Sequence, residues 1–264
     1  MKRSLFFKGF VVFSLVFSIF FAFSLSPYKN IEASAKMQEK QEQIQELLTK
    51  SEEYNEKFDD ASQSDTQKLK VKTKELLSTN KISLKTDGKL DFSNFNVKTF
   101  DENKAVYLPI KYKNVKKELN VSYFVIVFDE NENLAYYNET KIIGDDVDYT
   151  SEVEVYNDGI LAKKEHLELE KEDFTVAPDN EKVANGNSLF LFFKPTKASA
   201  GFWSEFDKCL SSKGIAGWAI TSMSIACGLA CAGTLGAGCV PCLLGLGLAT
   251  EGVVSYCVFK VRAG

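Results

Sequence analysis

All six cysteines of this 264-residue chain lie in its last quarter, within a segment that is nearly free of charge. No Asp, Glu, Lys or Arg occurs from Gly214 to Thr250. Because about 60 residues bury too little core to be stable alone, this pattern predicts a small apolar unit held by disulfides. The cysteines are Cys209, Cys227, Cys231, Cys239, Cys242 and Cys257.

The N-terminus predicts export. A positively charged start is followed by the uncharged apolar run Gly9–Leu25 and then by the small residues Ala33-Ser34-Ala35. This is the pattern of a signal peptide over residues 1–35, cleaved between Ala35 and Lys36. We therefore expect a secreted, extracellular protein that can associate with membranes. An uncleaved N-terminal anchor is the alternative, since the apolar run is close to the roughly 17 residues that a membrane span needs.

Export changes how the cysteines are interpreted. In an oxidising compartment, six cysteines favour three disulfides, although the sequence does not choose among the many pairings. A zinc site is the alternative, because Cys227-x3-Cys231 and Cys239-x2-Cys242 contain four thiols at close spacing. We predict disulfides, with neither a metal nor another cofactor.

Charge divides the chain into unlike parts. The formal net charge is −4, to which residues 1–35 contribute +3, residues 36–200 contribute −8 and residues 201–264 contribute +1. No basic stripe is present, so nucleic acid is not expected as a partner. An acidic middle segment is thus joined to a nearly neutral, apolar end.

The middle segment begins with two predicted helices. Residues 36–57 carry apolar side chains at helical spacing, and a second helix is predicted to start with Asp65 as its N-cap. Leu69, Leu76 and Leu77 would form the buried face of that second helix.

The pattern then changes to strands. Residues 106–112 alternate between apolar and other side chains, as on a half-buried strand, whereas Tyr123–Phe128 is apolar throughout, as in a central strand. The polar segments Asp129–Asn133 and Asn157–Gly159 predict the turns of two hairpins. Ser188–Phe193 is predicted to form a last strand.

These patterns give an α+β fold: a secreted domain of two N-terminal helices plus an antiparallel sheet, followed by a small all-α, disulfide-stapled unit. The predicted boundaries are a signal peptide at 1–35, a helical segment at 36–80, a β-rich domain at 81–196 and the Cys-rich unit at 201–264.

No pattern in the middle segment predicts catalysis. His166 is the only histidine and lies in a charged stretch, so we expect a solvated strand residue. The acidic groups Asp145–Asp148 and Asp129–Glu132 lack the spacing and turn glycine of an EF-hand loop, and we interpret them as solvated turns. The protein is not expected to be an enzyme.

The C-terminal segment is rich in small residues, which allow helices to approach closely. Cys227 and Cys231 fall on one helical face, Gly233–Gly238 is expected to be a turn, and Pro241 would start the next helix. The predicted membrane-active side chains are Trp218, Leu243, Leu244, Leu246 and Leu248.

Three interpretations of this segment are open. It is a transmembrane tail or hairpin, a disulfide-held core that merely folds, or such a core with an apolar exterior that acts on membranes or on a membrane receptor. We favour the third, because six cysteines are unusual in an anchor and few polar residues are available for a solvated surface.

A second processing site is predicted at the start of this segment. Ala198-Ser199-Ala200 repeats the Ala-Ser-Ala of the signal peptide and precedes Gly201. A cut between Ala200 and Gly201 would release residues 201–264 with all six cysteines. A chance repeat in a small-residue linker is the alternative.

The element Cys227-Gly-Leu-Ala-Cys231-Ala-Gly-Thr-Leu-Gly-Ala-Gly-Cys239, with Val240-Pro241 and the later Val253-Val254-Ser255-Tyr256-Cys257, resembles the halocin C-eight type of bacteriocin precursor. The order of an export signal, a long acidic part and a Cys-rich apolar end is similar as well. The resemblance implies that the C-terminal peptide kills related cells and that the N-terminal part confers immunity.

From the sequence we therefore expect a secreted antimicrobial precursor. Its partners would be a target-cell membrane or a membrane receptor, and the N-terminal domain would bind its own C-terminal peptide by covering apolar surface. The alternative is a cell-surface binding protein with a C-terminal membrane-anchoring segment.

Overall fold

The computed structural model describes residues 57–175, 200–232, 239–250 and 252–263. The chain divides into two units, Met1–Gln38 and Glu39–Gly264, and every described residue belongs to the second. Several predictions lie outside the described residues: the helix over 36–57 except for Lys57, the strand Ser188–Phe193, the turn Gly233–Gly238, and the cleavage residues Ala35 and Lys36.

The described residues form one antiparallel sheet of eight strands, as the sequence predicted for this part of the chain. The strands are β1 (Asp59–Asp60), β2 (Lys89–Leu90), β3 (Asn96–Phe100), β4 (Asn103–Lys111), β5 (Tyr123–Phe128), β6 (Leu134–Asp145), β7 (Thr150–Asn157) and β8 (Ile160–Glu168). Their order is β1-β3-β4-β5-β6-β7-β8, with β2 paired to β4. From β3 onward this is a meander, in which strands adjacent in sequence are adjacent in space.

Both predicted hairpins are confirmed. β5 and β6 pair across the segment Asp129–Asn133, where the Asn133 backbone N–H donates to the Asp129 carboxylate at 2.7 Å. β7 and β8 are joined by the two-residue turn Asp158-Gly159, whose φ values are 48° and 78°. Positive φ at both central residues gives a turn whose twist matches that of the strands, which is why Asp-Gly predicts it.

Helix α1 (Gln63–Ser78) is the second of the two predicted helices. Its N-cap is Ser62 and not Asp65, because the Ser62 hydroxyl accepts from the Asp65 backbone N–H at 3.0 Å. Asp65 lies in the first turn instead, where its negative charge is favourable. Leu69 and Leu76 are buried as predicted, and Thr73 shares their face.

The two faces of the sheet contact different helices. Leu69 and Leu76 of α1 pack on one face, against apolar side chains of the central strands. This first core contains Val106, Leu108, Ile110, Phe124, Ile126 and Phe128. The strand predicted at residues 106–112 is therefore not half-buried: Ala105 and Tyr107 point to the other face and are also buried, at 0% and 6% exposure.

Four helices follow in the described C-terminal part: α2 (Ala200–Ser212), α3 (Gly217–Ala232), α4 (Cys239–Ala249) and α5 (Val253–Ala263). Pro241 is the third residue of α4, whereas the sequence predicted it as the first. A proline fits there because the backbone N–H groups of the first turn have no acceptor within the helix, so no hydrogen bond is lost. These helices form a second core with the opposite face of the sheet.

The acidic turns differ from one another. Asp145 accepts backbone hydrogen bonds from Val147 and Asp148 in an exposed turn, as predicted. Glu132 instead has a side chain that is only 14% exposed, and it forms ion pairs with Lys68 and Lys104 at 2.7 and 3.2 Å. The β5–β6 turn is thus fixed to α1 and β4 and is not simply solvated.

Asp91 provides a pH test of this fold. Its carboxylate is paired with Lys111 at 2.7 Å and accepts hydrogen bonds from Ser93 and Asn94, and these contacts lower the pKa of Asp91. Because the pKa of Asp91 is lower in the folded than in the unfolded state, its charged carboxylate stabilises the fold above about pH 4. This contribution is lost as the pH falls and the carboxylate becomes protonated.

Asp91→Asn should therefore lower the free energy of unfolding at pH 7 by about 1–2 kcal/mol, since hydrogen bonds to a charged group are lost. The difference from the unmodified protein should narrow as the pH is lowered from 4 to 2. Urea unfolding across this pH range measures it, and parallel curves for the two proteins would contradict the assignment.

Candidate functional site: the interface between the sheet and the Cys-rich helices

The candidate site is the contact between the C-terminal helices and the second face of the sheet, which we call the covered face. Side chains alternate along each strand, so every second residue of the central strands points to α3 and α4. The apolar residues of the covered face are Ala105, Tyr107, Tyr123, Val125, Val127, Ile142, Val153 and Val155. All eight are buried.

One close contact joins β5 to α4. The Tyr123 hydroxyl and Cys242 Sγ lie 3.2 Å apart, and both residues have no exposed surface. Gly245, one helical turn further along α4, lies against the Tyr123 ring so closely that any β-carbon there would overlap the ring. Burial raises the pKa of Tyr123, so the phenol is neutral in this contact.

A second close contact joins β6 to α3. The Trp218 ring stacks on Phe174 with ring centres 5.7 Å apart and planes inclined by 6°. Both rings lie over Gly144, at which a β-carbon would be 3.0 Å from either one. Next to them, the hydroxyls of Ser222 on α3 and Ser151 on β7 hydrogen-bond at 2.8 Å. A bulkier residue at 144 would displace the indole.

Other polar side chains of the covered face have partners within the sheet. Asn138 donates to Asn157 at 2.9 Å and accepts from the Thr140 hydroxyl at 2.7 Å. The Tyr136 hydroxyl donates to Asn157 as well. Because buried polar groups are costly only when they are unpaired, this arrangement does not depend on the helices.

Disulfide bonds are present as predicted, and two of the three expected pairs lie within the described residues. Cys209–Cys257 links α2 to α5 with Cα atoms 5.6 Å apart, and Cys227–Cys242 links α3 to α4 with Cα atoms 5.3 Å apart. Cys239 is disulfide-bonded too, and the Cys231 side chain lies outside the described residues. The Cys227–Cys242 bond uses two of the four thiols that a zinc site would need.

The structure places the predicted membrane-active residues in the interior of the intact chain. Trp218, Leu243, Leu244 and Leu246 are 1–3% exposed, and Leu248 is half-buried against the same core. The processing residues Ala200 and Gly201 are the first two residues of α2. His166 is exposed on β8 and pairs with Glu152 in the ladder, as expected of a solvated strand residue.

Sequence reasoning missed the residues that contact these helices, namely Tyr123 and Gly144 of the sheet and Phe174 of the short 3₁₀ helix Lys171–Phe174 that follows β8. It also missed Gly245, although small residues in this segment were recognised as a means of close packing. One indication was available: Tyr123–Phe128 is apolar at every position, and such a strand needs an apolar partner on each face.

Within the described residues, no group of three His, Cys, Asp or Glu side chains is placed to hold a metal ion. No single helix there is long and apolar enough to cross a membrane. Only together are the helical segments Cys239–Ala249 and Val253–Val261 as long and apolar as a membrane span, and their axes differ by 87° where one ends and the next begins.

No protein-family model, curated protein or solved structure matches this chain. The likeness to halocin-type precursors therefore consists of the cysteine spacing and the order of segments alone.

Two glycines of α4 offer a matched test of the interface. Gly245→Ala should lower the free energy of unfolding by about 1–3 kcal/mol, because the new methyl group overlaps the enclosed Tyr123 ring. At Gly247, a β-carbon meets no atom within 4 Å. Gly247→Ala should therefore raise stability by up to about 1 kcal/mol, since alanine favours a helix.

Urea unfolding without reductant measures both variants. Equal effects at the two positions would show that α4 does not pack on Tyr123 as described.

Proposed function

We propose that this protein is a secreted precursor of a bacteriocin-type antimicrobial peptide. Residues 201–264 would be the active peptide, and the domain over 36–200 would restrain it or protect the producing cell. The observation that carries the proposal is that the covered face encloses the apolar side chains of the Cys-rich helices, Trp218 and Leu244 among them.

Enclosure in the intact chain accounts for restraint. Trp218 packs on Gly144 and Phe174, and Leu244 packs among side chains of β4 and β5. Each apolar side chain of this size contributes about 1.5–3 kcal/mol when it is fully buried. Separating the peptide from the sheet would uncover these residues, and an uncovered apolar surface favours insertion into lipid or binding to a membrane receptor.

The covalent structure is compatible with release. Every cysteine lies at or after position 209, so any disulfide within this chain joins two residues of the C-terminal segment. No disulfide can tie the peptide to the sheet. A single cut before Gly201 would leave only non-covalent contacts between them, while the disulfides Cys209–Cys257 and Cys227–Cys242 keep the released helices together.

The hydrogen bonds within the sheet are compatible with separation as well. Asn138, Thr140 and Asn157 are paired with one another on the covered face, so removal of the helices leaves their hydrogen bonds intact. The sheet domain would then present an apolar surface of matching shape. We propose that it can recapture the peptide, which would serve as immunity.

The position of the cut lies at a helix end, where local opening would expose the backbone. Ala200 and Gly201 are in the first turn of α2. The N–H groups of a first turn have no intrahelical partners, and helix ends open locally at low cost. Opening this turn would give the extended backbone that proteases bind.

Processing can be tested with a pair of substitutions. A peptidase that recognises Ala-x-Ala reads the two alanines and tolerates the residue between them. Ala200→Phe should prevent release, whereas Ser199→Phe should allow it. Intact-mass analysis of the culture medium should show a species that begins at Gly201 and is about six mass units lighter than its reduced form, as expected for three disulfides.

The alternative function makes the opposite prediction for the same experiment. A cell-surface protein anchored by its C-terminal segment would be recovered only in membranes, as the unprocessed chain from Lys36 to Gly264. Release of the peptide from the Ala200→Phe variant as efficiently as from the Ser199→Phe control would place the cut elsewhere.

Killing should depend on the disulfides. The loop of 15 residues closed by Cys227–Cys242 contributes about 3 kcal/mol by the loop-entropy argument, and Cys209–Cys257 closes a longer one. Reduction and alkylation of the released peptide should therefore unfold it and abolish growth inhibition of sensitive cells. Peptide alkylated without reduction is the control, and full activity after reduction would contradict the proposal.

A further inference from the structure

Helix α5 carries an aromatic surface that the second core does not use. Tyr256 and Phe259 are 50% and 73% exposed, although the other apolar side chains described in the Cys-rich helices are mostly buried. They are three residues apart in α5 and therefore project from one side of the helix. The opposite side carries Val254, Cys257 and Val258, which are buried in the second core.

Two lysines flank these rings, one in space and one in sequence. Lys213 Nζ lies 5.3 Å from the centre of the Tyr256 ring, and Lys260 is exposed next to Phe259. Helix α5 itself contains Lys260 and Arg262 and no Asp or Glu. On the neighbouring α2, Lys208 forms an ion pair with Glu205 at 2.8 Å, so the negative charge of Glu205 is balanced there. The aromatic surface is thus bordered by cations.

We propose that Tyr256, Phe259, Lys213 and Lys260 form a docking surface for an anionic lipid bilayer, and that the intact chain uses it before any peptide is released. Aromatic rings insert at the level of lipid headgroups, and lysine side chains extend from an apolar surface to bind phosphates. The charge complements an anionic bilayer, since each lysine near such a surface strengthens binding about fivefold.

The disulfide Cys209–Cys257 adds preorganisation. Cys257 lies between Tyr256 and Phe259 in sequence, and its bond fixes α5 to α2. The rings are therefore held on a rigid helix, and little conformational entropy is lost on binding. The net charge of −8 on residues 36–200 is screened over distances beyond about 8 Å at physiological salt, so the local surface decides the interaction.

This inference does not depend on cleavage, and its test uses the intact chain over 36–264. That chain contains the whole unit Glu39–Gly264 and omits the N-terminal apolar run, which would bind lipid by itself. Flotation with vesicles of equal parts phosphatidylglycerol and phosphatidylcholine, in about 0.15 M salt, measures binding. Vesicles of phosphatidylcholine alone provide the reference.

The chain should float with the anionic vesicles and much less with the neutral ones. Tyr256→Ser with Phe259→Ser should weaken binding by at least about tenfold, because two apolar rings no longer enter the headgroup region. Lys213→Gln with Lys260→Gln should weaken binding to anionic vesicles by up to about 30-fold. Val147→Ser with Ile160→Ser removes two comparably exposed apolar side chains elsewhere and should leave binding unchanged.

Equal flotation of all variants, or equal binding to both kinds of vesicle, would overturn the proposal. So would a concentration-dependent dimer that Tyr256→Ser with Phe259→Ser abolishes, in the absence of vesicle binding, since a second copy would then be the occupant. Urea unfolding confirms that each variant is folded. The Ala200→Phe chain should bind vesicles as the unmodified chain does. Failure of processing can therefore be distinguished from failure of lipid docking.

Discussion

Strand β5 is buried along its whole length on both faces, and this burial determines how the rest of the molecule is arranged. Phe124, Ile126 and Phe128 require cover on one face, while Tyr123, Val125 and Val127 require it on the other. Helix α1 covers the first face, and α4 with its neighbouring helices covers the second. The uncharged C-terminal segment is therefore half of a core whose other half is the sheet.

Two kinds of bond hold this arrangement together, and they are separated along the chain. The disulfides join helix to helix within residues 209–257, whereas the sheet and the helices are joined by packing and hydrogen bonds such as Ser222–Ser151. Once the connecting chain is cut, only these non-covalent contacts oppose dissociation of the helices from the sheet. This division supports a precursor in which one part can leave the other without losing its own structure.

Close approach depends on two glycines. Gly144 lets the Trp218 and Phe174 rings lie against β6, and Gly245 lets α4 lie against the Tyr123 ring. The requirement for glycine depends on the position in α4. Gly245 and Gly247 are two residues apart, and a β-carbon would meet the sheet only at Gly245. The aromatic surface on α5 is exposed, so the proposed docking to lipid and the packing on the sheet would use different sides of the Cys-rich helices.

Local patterns in the sequence determined the antiparallel sheet, the two hairpins, helix α1 and the presence of disulfides, since each follows from residues close together in the chain or from a single residue type. The disulfide pairing, the N-cap at Ser62 and the ion pairs of Glu132 were decided only by the tertiary structure. So was the burial of Trp218 and Leu244. An apolar side chain has the same hydrophobicity whether it meets lipid or a sheet, and only the fold shows that residues distant in the chain, such as Gly144 for Trp218 and Tyr123 for Leu244, provide its cover.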